Sequence, residues 1–165
     1  MGLFNFFGTN KISSYHGEKN GLEKIEEGIL FEYNHQLLQW TTSINSFTSN
    51  GEISIEKKPD RTIYNWGEHN ILNGLRLPLY TIFWNFGEDA FFRKFKKIEF
   101  TTIGDSEEYF EIINSHLEGN LGKANKEEFK NPEISKEWII NDVKLFLYLF
   151  EMHSMRLSFS IQKGK

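Results

Sequence analysis

Five histidines and twenty-three acidic side chains are the groups in this 165-residue chain that could carry a proton or hold a metal ion. The histidines are His16, His35, His69, His116 and His153. A zinc site of the HExxH kind sets two imidazoles on one helix face with a general base between them. No pair here has that spacing. Glu68 and His69 are neighbours, and neighbours in a strand point to opposite faces, so adjacency makes no dyad. Glu151 and His153 share one side of an extended segment, which a turn rim explains equally well. GxSxG, GxGxxG and P-loop patterns are absent, and Gly8, Gly17, Gly21 and Gly28 are too loosely spaced to cradle phosphate. Glu88 with Asp89, and Asp105 with Glu107, read as turn and cap residues. The sequence therefore marks no catalytic residue, metal ligand or cofactor-binding residue. It favours a non-enzymatic role, with an uncharacterised hydrolase as the enzymatic alternative.

The remaining chemistry is that of contact. Asp60 to Asn70 mixes charge, aromatics and amides, and Arg, Tyr and Trp are the side chains that dominate protein interfaces. Arg61, Glu68 and His69 are candidates for a contact rim around a protein partner, with Tyr64 and Trp66 in the core. Glu107, Glu111 and Glu118 form a second candidate, an acidic helix face. A small-ligand or sensory domain is the alternative, with a pocket lined by Trp66, Trp84 or Tyr80. The net charge of −4 supplies no broad basic field, and the one basic cluster, Arg93 to Lys97, reads as a turn or strand edge, so no nucleic acid is expected. No apolar run approaches about 18 residues, so no membrane span is expected. Met1 to Gly8 lacks a basic start, and Phe6 stands where myristoylation wants Ser or Thr. That apolar segment is expected to dock on the domain. The absence of cysteine removes disulfides, thiolates and zinc–sulfur sites, and fits a reducing cytoplasm.

The elements that must position these residues read as one α+β domain over 1–165, with an apolar segment at 1–8 and a polar loop at 9–21. The last third sets the pattern. Val143, Leu145, Leu147 and Leu149 alternate with Lys144, Phe146, Tyr148 and Phe150, and Leu157, Phe159 and Ile161 repeat the period of two. This predicts a strand meander over about 137–161, with strand 143–150 covered on both faces. Asp105 and Glu108 suggest a capping box for a helix over about 105–118, whose face is Phe110, Ile113 and Leu117, with stops at Gly119 and Gly122. Residues 52–66 read as a hairpin, Leu75 to Phe86 as a buried strand ended by Gly87-Glu88-Asp89, and 97–103 as extended. Residues 22–31 suggest a short helix, the second half of 29–40 a strand, and 123–133 a loop or helix start. Arg156 to Ile161 is the edge through which a homodimer would form.

The order of helix 107–117, Leu121-Gly122, a charged loop, Trp138, Val143-Lys-Leu-Phe-Leu and Arg156-Leu-Ser-Phe-Ser-Ile161 resembles the small cytoplasmic α+β immunity proteins of bacterial polymorphic toxin systems. The resemblance covers the C-terminal 55–60 residues and rests on pattern. It implies a cytoplasmic protein without cofactor that binds a cognate toxin domain and blocks its active site.

Overall fold

The computed structural model describes residues 20–47 and 53–164. The expected docking of Met1 to Gly8 and the Ser49-Asn50-Gly51 turn lie outside them. The elements are strands β1 (Gly28–Phe31), β2 (Gln36–Gln39), β3 (Ser54–Lys57), β4 (Arg61–Ile71) and β5 (Leu75–Trp84), helix α1 (Gly87–Phe92), β6 (Lys97–Ile103), helix α2 (Ser106–Leu121), β7 (Lys126–Lys130), β8 (Glu133–Ile140), β9 (Val143–Glu151) and β10 (Met155–Lys163). β1 and β2 form a separate hairpin. The others make an eight-stranded sheet in the order β3-β4-β5-β6-β10-β9-β8-β7. Every pairing is antiparallel, and the fold is α+β.

The period of two sorts the sheet into faces. Val143, Leu145, Leu147, Leu149, Leu157, Phe159 and Ile161 are all buried and point to the inner face, where α2 brings Phe110, Ile113 and Leu117. Burying each of these helix side chains contributes about 1.5–3 kcal/mol. The β1–β2 hairpin and the turn at Ile44 cover the inner face of β4. Phe31 stacks on His69 with centroids 3.7 Å apart, and the Tyr64 hydroxyl donates to the Ile44 carbonyl. Among the described residues, α2 is the helix that packs on β9, and it does so on the inner face. The expected double cover of 143–150 is therefore single among the described residues, and Phe146, Tyr148 and Phe150 are half-buried.

Several expectations fail for local reasons. Residues 22–27 make turns and no helix, because Gly28 enters a strand in which the Leu38 carbonyl lies where a Cβ would be. The charged run 123–133 holds edge strand β7. Gly87-Glu88-Asp89 opens α1, with Asp89 Oδ2 accepting from the Trp84 N–H at 3.0 Å. Asp105 has left-handed backbone (φ 51°) and its side chain makes no cap bond, so the capping box does not form. Ser106 instead donates to the Met155 carbonyl at 3.0 Å and ties the helix start to β10. Gly119 stays inside the helix, and Gly122 (φ 80°) ends it. The largest correction concerns Arg156 to Ile161. This strand is no edge: it is paired with β6 on one side and β9 on the other.

Candidate interaction face

A bulge decides which side chains β4 sends outward. Pairing with β5 shifts register between Asn65 and Gly67, so Trp66 is an extra residue and the alternation resets. Tyr64 and Trp66 face inward before the bulge, and His69 and Ile71 after it, opposite Leu77 and Leu75. Trp66 is fully buried and donates to the Thr81 hydroxyl at 2.9 Å. Trp84 and Tyr80 point to the other face, so Trp66 shares no pocket with them.

The outer face that results has two aromatic banks. On β9, Phe146, Tyr148 and Phe150 form a row, with the last two stacked at 4.8 Å. On β4 and β5, the Arg61 guanidinium lies 5.0 Å over the Trp84 ring, beside Ile82 and Tyr80. Between the banks β10 offers Arg156, Ser158, Ser160 and Gln162, with Thr101 next to Ser158 on β6. Tyr80 and Thr101 share a hydrogen bond of 3.1 Å. Desolvation, reinforced by the nearby Glu99 carboxylate, pushes the Tyr80 phenol up to about 12. Tyr148 donates to Glu133 at 2.9 Å, and that bond raises its pKa too. Both phenols stay neutral donors at physiological pH.

Charges surround the banks as internal pairs: Arg76–Glu68 at 2.7 Å, Lys97–Glu99 at 2.7 Å, Lys144–Glu137 at 3.0 Å and Lys126–Glu128 at 2.8 Å. The Nε atoms of Arg61 and Arg156 are enclosed and have no hydrogen-bond partner among the described residues. Both belong to side chains on this face. A shallow cavity of about 190 Å³ lies against Tyr148, lined by Glu128, Lys130, Glu133, Ser135 and Phe146. Sites for drug-sized ligands run to roughly 300–1,000 Å³.

The six sequence candidates divide between opposite sides of the molecule. Arg61 and Glu68 stand on the outer face. His69 is turned inward, its Nε2 2.8 Å from the Trp66 carbonyl and its ring on Phe31. Glu107 and Glu111 are exposed on α2, across the sheet. Glu118 accepts from Lys136 at 2.9 Å. A single flat partner cannot touch both sets. Sequence reasoning left out Phe146, Tyr148, Phe150, Tyr80, Trp84 and Arg156 as one surface. The signal is the alternation of β9, whose apolar residues on both faces suggest a strand covered on each side. No group of three or more His, Cys, Asp or Glu side chains able to hold a metal ion occurs among the described residues. No described helix is long and apolar enough to cross a membrane. No family model, curated protein or solved structure matches the chain.

Proposed function

We propose that this chain is a protein-interaction domain whose outer sheet face docks a folded partner. The observation that supports it is the composition of that face: an Arg–Trp stack and a Phe–Tyr–Phe row enclosed by paired charges. Protein interfaces have this anatomy, with aromatic and Arg anchors at the centre and a polar rim. A pocket for a small ligand is less well supported, since the cavity on this face is only about 190 Å³.

Within this class we propose a cytoplasmic bacterial immunity protein that blocks a toxin domain. The support is the sequence pattern of the C-terminal half, whose strand β9 carries one of the two aromatic banks. The mechanism is steric: a partner seated on the sheet has its own active site covered. The test is co-expression with the product of the neighbouring gene. The reading expects that product to arrest growth alone, growth to return with this protein, and rescue to fail with Arg61→Ala and Tyr148→Ala. A harmless neighbour, or rescue untouched by both substitutions, would overturn it.

A further inference from the structure

With β10 in the middle of the sheet, a free edge lies at β7. All five of its residues, Lys126, Glu127, Glu128, Phe129 and Lys130, are exposed. Its one partner among the described strands is β8. Phe129 is 66% exposed, an unusual state for a large aromatic on an otherwise charged strand. Charges on an edge normally block pairing with another chain, and what they block depends on register.

We propose that β7 pairs with β7 of a second copy, antiparallel and two-fold symmetric about Phe129. The symmetry leaves few registers, and charge selects among them. Centred on Glu128, the pairing sets Glu128 against itself and Lys126 against Lys130. Centred on Glu127, it sets Lys126 against Glu128 but also Glu127 against itself, a like-charge pair that the Phe129 register avoids. Centred on Phe129, it stacks the two phenyl rings and sets Glu128 of each copy opposite Lys130 of the other, giving two opposite-charge pairs. Lys126 already holds Glu128 at 2.8 Å from one side, and the second copy's Lys130 approaches from the other. Backbone geometry is compatible with this register. The two-residue loop of the β7–β8 hairpin closes on Lys130 and Glu133, and residues flanking such a loop exchange both backbone bonds. Alternation then turns the N–H and C=O of Phe129 toward the free edge, where a two-fold pair exchanges both. The product is one continuous sheet across two copies, with both outer faces turned the same way.

The chain has no cysteine, so Phe129→Cys introduces a single thiol. In a hydrogen-bonded antiparallel pair the Cα atoms stand about 5.5 Å apart, within disulfide range. Under mild oxidation Phe129→Cys should run at twice the monomer mass on a non-reducing gel, while Ile139→Cys, exposed on the inner strand β8, should not. By sedimentation, wild type should shift from one to two copies with concentration. Glu128→Lys should abolish the shift, and Glu128→Lys with Lys130→Glu should restore it. Thermal melting of each variant guards against misfolding. A monomer at every concentration would overturn the proposal, as would a dimer that ignores Glu128→Lys or equal crosslinking through positions 129 and 139.

Discussion

The Lys136 ammonium meets the Glu118 carboxylate at 2.9 Å across the layer between sheet and helix. Lys136 points to the inner face, and its side chain is only 10% exposed, against 39% for Glu118. Glu127 adds a longer contact at 3.6 Å. The asymmetry of burial predicts an asymmetry of substitution. Glu118→Ala leaves a nearly buried cation with one distant counter-charge, and should cost about 1–2 kcal/mol after allowing for the exposure of Glu118. Lys136→Met removes the desolvation together with the pair and should fall within about 1 kcal/mol of wild type. Urea unfolding of the two variants measures the difference, and equal losses would contradict this account.

Gly28 has no space for a side chain. A Cβ there would meet the Leu38 carbonyl and lie 2.8 Å from the Gln39 Cα, both backbone atoms of the paired strand. Gly28→Ala should destabilise by at least about 3 kcal/mol, since backbone cannot give way as a side chain can. Gly119→Ala, where nothing stands within 4 Å, should stabilise by about 0.5–1 kcal/mol through helix propensity. The two melting temperatures should move in opposite directions.

Glu32 gives the fold a pH dependence. It is 2% exposed, and its Oε1 accepts from the N–H groups of Asn73 at 2.6 Å and Gly21 at 3.0 Å. Desolvation raises its pKa above the ordinary 4.5, although those bonds pull the other way. The folded chain then holds a proton that the unfolded chain releases. Its contribution is complete below 4.5 and is lost as pH rises through the higher folded value. Glu32→Gln keeps an acceptor and removes the titration. The melting temperature of wild type relative to Glu32→Gln should fall as pH rises above 4.5. A constant difference would show that Glu32 titrates normally.

On the outer face, binding and folding should separate. Arg61→Ala removes the cation stacked on Trp84 and should weaken partner binding by about 2 kcal/mol, roughly thirtyfold. Glu107→Gln, on the far side of the molecule, should leave binding within about twofold, because its field is screened within about 8 Å at physiological salt. Calorimetry with the purified partner checks both.

Much of the sheet was legible because its signal is local. Alternation in β9 and β10 and the Phe110, Ile113 and Leu117 stripe each need only a few neighbouring residues. What failed depended on distant ones. Whether Phe146, Tyr148 and Phe150 meet a second layer is decided by where α2 and the β1–β2 hairpin pack, and both chose the same face. The orientation of Glu68 and His69 turned on one bulge, for which Gly67 inside a strand was the only local mark. The central position of β10 is a matter of topology, invisible to its own composition.

That position also sets the order in which the protein can be made. β3 to β6 form one block of neighbouring strands and β7 to β9 another, and only β10 bridges them. Until β10 is made and placed, the chain exposes two open edges, β6 and β9. Closure of the sheet waits on this one strand, and loss of β10 would leave two unjoined half-sheets, each with an open flank.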